Sequence, residues 1–320
     1  SVSIVVQEIR DEKLPQVDLL LFIEEGTPAR VGEVSVIGND LTRQQVVLRQ
    51  MQLKPERPLD SELLDQSKKD IEATRLFEPG SVKITVQPED PERPGVHDVN
   101  IEVHETNTGQ FNFGVAVGSD AGVVGQIGMV QKNFDVLSPP HTFEELFSGQ
   151  AFRGAGQTFD VEILPGTVSQ TYSATLVEPY LFESEYSGSA TVFFSTRDYR
   201  EFDERRYGAR VGVGRRFGTL WKGNIVARAE SIDLSNIEPD RPVDVFEVED
   251  QHSLTGVGVE FTRDTTNDRF RPWRGNHVSL GVEQVGAMGG DFDFTHFRYQ
   301  SAAFFAVSET FLGYHTVLKL

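Results

Sequence analysis

The sequence predicts an α+β module of order β-α-α-β-β followed by a long antiparallel β-domain of barrel type, and three observations carry that prediction. First, Ser1 to Gln7 (SVSIVVQ) matches Ser81 to Gln87 (SVKITVQ), and the same offset carries Asp18 onto Asp98 and Glu25 onto Glu105. Such fixed self-similarity marks repeated modules. Second, from Gly109 to the end of the chain, apolar and polar residues alternate with a period of two, as in strands with one oily face. Third, connections between these strands look long and acidic on one side (Thr196 to Arg205, Asp233 to Gln251) and tight on the other (Gly218-Thr219, Ser308-Glu309). Long loops on one rim and short turns on the other are a feature of outer-membrane barrels.

The totals restrict function before any motif does. A chain of 320 residues exceeds what one core usually fills, so two domains are expected. Hydrophobic residues make up 38% and mean hydropathy is -0.31, with no apolar run near the ~20 residues of a spanning helix. A helical membrane protein is excluded; a barrel, in which only alternate residues meet lipid, is not. The net charge of -19 argues against a nucleic-acid surface and disfavours anionic partners. The lack of cysteine removes disulfides, cysteine-zinc sites and thiol catalysis. Position 1 opens into a strand with no export signal, so an exported protein would be represented here by a mature or partial chain.

Taken in order, residues 1–26 read as the last two strands of a preceding module and residues 27–106 as a complete one. Arg30 to Ile37 alternates as a strand and stops at Gly38-Asn39-Asp40. Thr42-Arg43-Gln44-Gln45 has the form of a capping box and opens a short helix through Val46, Val47 and Leu48. Asp60 caps a second helix with Leu63, Leu64, Ser67 and Ile71 on its apolar face, ended by Phe77, Pro79 and Gly80. Strands at Ser81 to Gln87 and Val96 to Glu105 complete the module, the second with Val99, Ile101 and Val103 opposing Asp98, Asn100, Glu102 and His104.

The β-domain spans 107–320. Its first strand, Gly109 to Gly118, sets Phe111, Phe113, Val115 and Val117 against Gln110, Asn112, Gly114 and Ala116. Counting by parity gives about eleven strands of the ~10-residue length that suits a tilted barrel strand. Mid-strand Arg, Glu and His suit the water face of a soluble sandwich or the wet lumen of a membrane barrel, and the pattern alone does not separate the two. Asp135 to Gly156 is a long connection among short ones. Phe143, Leu146 and Phe147 recur there at helical spacing, a small amphipathic insert that serves local packing or meets the membrane interface or an accessory protein.

Several pieces together resemble one family. The modules ending in VHET (Val103 to Thr106), followed by TGQFNFGVAVGSDAGVVGQIGMVQKNF (Thr108 to Phe134), are similar to the last POTRA domain and first barrel hairpin of BamA-type outer-membrane assembly proteins. Glu178-Pro179-Tyr180-Leu181-Phe182 resembles the family's turn after the fourth barrel strand, Tyr207 to Phe217 one of its strands, and Arg263-Asp264 with Pro272 and Gly275 the turn before the ninth.

The resemblance implies an outer-membrane protein with a periplasmic POTRA part, and an expected sixteen barrel strands of which about eleven are present. Earlier POTRA domains, the Arg-Gly-Phe type loop and the closing strands of the family are not in this sequence. The first strand, with Gly109, Phe111, Phe113, Gly114, Val115 and Gly118, would form one lip of a lateral gate. The implied partners are unfolded outer-membrane protein clients, accessory assembly lipoproteins and the lipid bilayer. Neither a cofactor nor catalysis is implied. Two alternatives stay open: a relative that secretes or translocates a polypeptide, and a soluble or surface β-rich binding scaffold.

No spacing supports an enzyme: H-E-x-x-H, G-x-S-x-G and the P-loop are all absent. Gly212-Val213-Gly214 with Gly218 lies in an alternating strand and opens no helix, so it reads as small lumen-facing residues. Asp291-Phe292-Asp293, in a glycine-rich loop, lacks the further ligands of a calcium loop and reads as a hairpin tip. The acidic run from Glu238 to Asp250 reads as a solvated loop. Arg263 and Asp264 form a charged pair beside Pro272 and Trp273, either a structural clamp or a partner-docking point.

Overall fold

A computed structural model describes residues 2–10, 17–25, 29–118, 122–142, 144–145, 151–238, 246, 249–268, 271–311 and 314–319. They fall into two compact units, residues 1–108 with 135–155, and residues 109–134 with 156–320.

In the first unit, β1 (Val2–Arg10) and β2 (Val17–Glu25) form an antiparallel hairpin. The following module has the expected order: β3 (Arg30–Ile37), α1 (Gln44–Leu48), α2 (Ser61–Ala73), β4 (Lys83–Glu89) and β5 (Val96–Glu102). In its sheet β5 is central, parallel to β3 and antiparallel to β4. One face of that sheet closes on the helices, so Val47, Ile71, Val82, Val99 and Ile101 are fully buried. Leu63 departs from expectation: only Leu64, Ser67 and Ile71 turn toward the core, and Leu63 stays exposed.

The two helix starts are held differently. Asp60 caps α2 as its sequence suggests, its carboxylate accepting the Glu62 N–H at 2.8 Å. Asp60→Ala should therefore cost about 1 kcal/mol, checked as a shift of the module's urea midpoint. The capping box does not form: α1 begins at Gln44 with Arg43 as its cap residue and no side-chain cap bond. Thr42 is instead buried, and its hydroxyl and N–H both donate to Glu105, which also accepts the Leu41 N–H at 2.9 Å. A carboxylate brought in by β5's exit is a stronger acceptor for the Thr42 hydroxyl to meet than a local turn can offer.

Residues 135–155 belong to the same unit as the module. Asp135 is buried and ion-pairs with Arg43, whose N–H donates to the Gly154 carbonyl at 2.9 Å. Arg153 donates to the Thr106 carbonyl at 3.3 Å and to the Thr108 hydroxyl at 3.1 Å. The sequence marks this stretch only as an anomalous connection, since nothing in its spacing names Arg43 as the partner. Phe143, Leu146 and Phe147, expected to form an amphipathic face, lie outside the described residues.

The second unit is one antiparallel sheet of eleven strands in sequence order. They are β6 (Gly109–Gly118), β7 (Gly122–Phe134), β8 (Gln157–Leu164), β9 (Ser169–Glu178), β10 (Tyr186–Asp198), β11 (Asp203–Phe217), β12 (Trp221–Ser235), β13 (Asp250–Asp264), β14 (Gly275–Val285), β15 (Phe294–Phe311) and β16 (Tyr314–Lys319). We call the rim at which β6 starts the lower rim; the turns after β7, β9, β11, β13 and β15 lie there.

The inferred loop asymmetry holds for the long connection between Ser235 and Asp250 and for the tight turn between Phe217 and Trp221, and is corrected at two other places. Thr196 to Arg205 is not a long loop: β10 and β11 run on with Thr196 opposite Arg205, Arg197 opposite Glu204 and Asp198 opposite Asp203, leaving residues 199–202 to turn. Of these pairs Arg197 and Glu204 carry opposite charges, which suits a ladder that extends into water, so polarity there did not signal a loop. On the lower rim, residues 135–156 and 265–274 are longer than the upper-rim turn at 199–202. Nor is Ser308-Glu309 a turn, because β15 continues to Phe311 through register shifts around Ser308 that absorb the polar residues as a bulge.

Candidate functional site: sheet edge, inner face and lower rim

Alternation in β6 sends Phe111, Phe113, Val115 and Val117 to one side, where they are 67% to 78% exposed. The strand pairs only with β7 within its sheet, from Gly109 opposite Gln131 to Gly118 opposite Gly122, and stands at one end of the strand order. Gly114 faces Gln126 across that pair. The sequence-marked residues Gly109, Phe111, Phe113, Gly114, Val115 and Gly118 therefore share an edge strand whose other side meets no strand of the sheet among the described residues. An edge of this kind presents backbone donors and acceptors on which an extended segment can pair.

On the opposite face of β11 to β15 the polar residues converge. Glu230 on β12 is buried and accepts from Arg210 of β11 at 2.8 Å and 3.2 Å and from Arg228 of its own strand at 3.1 Å. Arg228 also pairs with Glu283 of β14, which lies 4.0 Å from His296 of β15. Arg210, Arg228, Glu283 and His296, with Glu260 and Arg298, line a cavity beside Glu230's ion pairs. The outward face of the same strands carries exposed Val211, Ile225, Val259, Leu280 and Phe297. An oily outer face over a charged inner one is the barrel alternative, since a soluble sandwich would bury the oily face. The sequence places Arg and Glu on the inner parity but gives no hint of which meets which.

At the lower rim, Glu178 closes the turn after β9: its carboxylate accepts the Tyr180 N–H and the Gln157 amide, each at 3.0 Å. Pro179 and Tyr180 lead into a 3-10 turn at Leu181–Glu183 in which Phe182 has φ +51° and is 92% exposed. A non-glycine residue in left-handed backbone, with a large apolar side chain in the open, is unusual. Arg263 and Asp264 are not a pair, because neighbours along a strand point to opposite faces. Arg263 donates to Asn276 at 3.0 Å and lies over the Trp221 ring, 5.8 Å from its centroid. Asp264 accepts from the Thr266 N–H and hydroxyl at 2.9 Å and 2.6 Å. Gly275, with φ +107°, begins β14 where the turn carrying Pro272 returns.

The upper-rim loop after β14 uses its carboxylates structurally. Asp291 accepts the Ser253 N–H at 2.5 Å and its hydroxyl at 3.0 Å, and that N–H foremost holds the carboxyl below the ordinary aspartate range. Asp293 accepts from Gln284 at 2.7 Å. Among the described residues no group of three His, Asp or Glu side chains is arranged to hold a metal ion.

Comparison with known proteins agrees with this geometry. The Omp85 superfamily domain matches residues 151–320, and the POTRA family, described as a surface antigen variable number repeat, matches residues 29–106. The outer membrane protein assembly factor BamA of Nitratidesulfovibrio vulgaris is 23% identical over 281 residues, 87% of this chain and 32% of that protein. Its counterpart from Neisseria meningitidis is 30% identical over 131 residues, 41% of this chain and 16% of that protein. The chain thus spans a third or less of these two relatives. Among solved structures, BamA from Haemophilus ducreyi lacking POTRA domains 1-3 has a TM-score of 0.75 at 17% identity, covering 96% of this chain and 57% of that one. CdiB from Escherichia coli has a TM-score of 0.52 at 13% identity, covering 96% and 56%.

Proposed function

The chain belongs to the Omp85 superfamily of outer-membrane proteins, with its POTRA part in the periplasm, and on that premise we propose that it assembles other outer-membrane proteins at the edge of β6. An unfolded client segment pairs with a POTRA edge strand and then with β6, gaining backbone hydrogen bonds that make little demand on client sequence. The barrel releases the growing strand pairs sideways into lipid, β6 being one lip of the gate. Accessory lipoproteins would deliver clients to the POTRA part. The work is done by strand exchange, with no covalent step.

The observation that supports this reading is that β6 is the first strand of the barrel sheet and, among the described residues, bonds only to β7, with its apolar row exposed. Glycine at 109, 114 and 118 leaves little side-chain packing for an incoming strand to displace. With a photo-crosslinking residue at Val115 of the intact protein in its membrane, client adducts are expected at high yield. The same probe at Val259, in the middle of the sheet, should give at most about a tenth as much. Equal yields at both positions would remove the gate, and labelling of a client along inner-face positions such as Thr191 instead would favour passage of a polypeptide through the lumen.

A further inference from the structure

The outward face of the sheet is apolar along most of its height, yet two arginines stand on it near the lower rim. Arg215 shares its face with Val211 and Val213, and Arg263 with Val259 and Phe261, all of them exposed apolar residues. Cross-strand register sets them in neighbouring rows of that face: Tyr186 lies opposite Arg215, and Trp221 lies opposite both Phe217 and Arg263. The guanidinium of Arg215 sits 5.1 Å from the Tyr186 ring centroid and 5.7 Å from that of Phe217, and Arg263 lies 5.8 Å from that of Trp221. The aromatic rings are what a membrane interface attracts. Arginines at that depth carry their guanidinium groups to the level of the lipid phosphates.

What already touches these cations leaves room for an anion. Arg263 has one bond, to the Asn276 side chain, and no carboxylate partner among the described residues. Arg215 donates to the Tyr186 hydroxyl at 3.2 Å and to Glu185 at 2.5 Å. Glu185 is itself 76% exposed in its side chain, so this pair is in contact with water and exchangeable. The adjoining turn adds exposed Arg271 and Arg274 around Trp273. Both rims carry charges of either sign in their turns, Glu183, Asp264 and Asp268 below and Arg197 and Arg205 above among them, so what sets Arg215 and Arg263 apart is their place on the outward face among aromatic rings.

We infer that the lower rim of the outward face, built on Arg215 and Arg263 among Tyr186, Phe217 and Trp221, is a binding site for the phosphate headgroup of an anionic phospholipid. The planar guanidinium groups match a phosphodiester's oxygens, the ring faces hold the guanidiniums at the interface, and the valines above them accept acyl chains. The site would fix the depth of the sheet in the leaflet next to the periplasm. It rests on the outer-membrane placement and is independent of the gate at β6, so the crosslinking result above can fail without touching it.

Both tryptophans of the chain, Trp221 and Trp273, lie on this rim and report on it directly. The protein is refolded into phosphatidylcholine vesicles doped with an equal mole fraction of acyl-brominated phosphatidylglycerol or acyl-brominated phosphatidylcholine, and tryptophan quenching is compared. Phosphatidylglycerol should quench as though enriched about fivefold for each arginine engaged, at low salt. That enrichment should collapse in high salt and in R215Q/R263Q, and survive in Arg197→Gln, on the upper rim. Equal quenching by the two lipids, or enrichment unchanged in R215Q/R263Q, would overturn the site. If R215Q/R263Q does not insert, R215K/R263K with the salt titration decides: enrichment that ignores salt in that variant would overturn it too.

Discussion

Glu230→Ala is expected to destabilise the barrel sheet by about 3 kcal/mol, the lower end of what removing one partner of a buried ion pair costs. Glu230 is the buried acceptor on which Arg210 and Arg228 both depend, and without it these cations face Arg298 across a cavity with Glu283 as the nearest counter-charge. The lower end applies because the Arg210 side chain is 51% exposed and water takes up part of the loss. Glu230→Gln, which keeps a carbonyl acceptor, should lose less. Urea unfolding of the protein in vesicles measures both. A loss under about 1 kcal/mol for the alanine variant would mean that lumen water screens the network as it does surface pairs.

Gly275→Ala is expected to cost about 3 kcal/mol and to open the turn at the lower rim. The backbone there has φ +107°, outside the range that alanine tolerates, and an added Cβ would overlap the Thr265 carbonyl oxygen. Thr265 cannot retreat easily. Its N–H donates to the Asn276 carbonyl at 2.8 Å, and its hydroxyl accepts the Asn276 N–H at 2.8 Å. Moving it frees Asn276, which is also the hydrogen-bond partner of Arg263. Trypsin cleavage after Arg274 should accelerate at least about tenfold, as local opening becomes easier by more than 1.4 kcal/mol; Arg271 is followed by Pro272 and is not a trypsin site. An unchanged cleavage rate would show that the turn accommodates a side chain without opening.

Much of the fold was legible because it depends on neighbours along the chain. The module's element order, the Asp60 cap and the burial of Val99 and Ile101 follow from spacing. So does the count of eleven strands from Gly109, since alternation is a property of residues two apart. Errors arose where a partner distant in sequence overrode a local signal. Thr42 looked like a cap and serves Glu105. The polar Thr196 to Arg205 looked like a loop and is mostly ladder. Arg263 and Asp264 looked like a pair because they are adjacent in sequence, although adjacency in a strand is what separates them.

By itself, then, the sequence determined the order and type of the elements and which side of each strand is oily, because both depend on short-range periodicity and on hydrophobic burial. Tertiary structure alone decided that residues 135–155 fold with the POTRA part through Arg43 and Asp135, that Glu230 gathers two arginines, and that Arg215 and Arg263 come into neighbouring rows with Tyr186, Phe217 and Trp221. Charged and aromatic partners of this kind are selected by strand register and by where the chain returns, and neither leaves a mark in the spacing of the residues that meet.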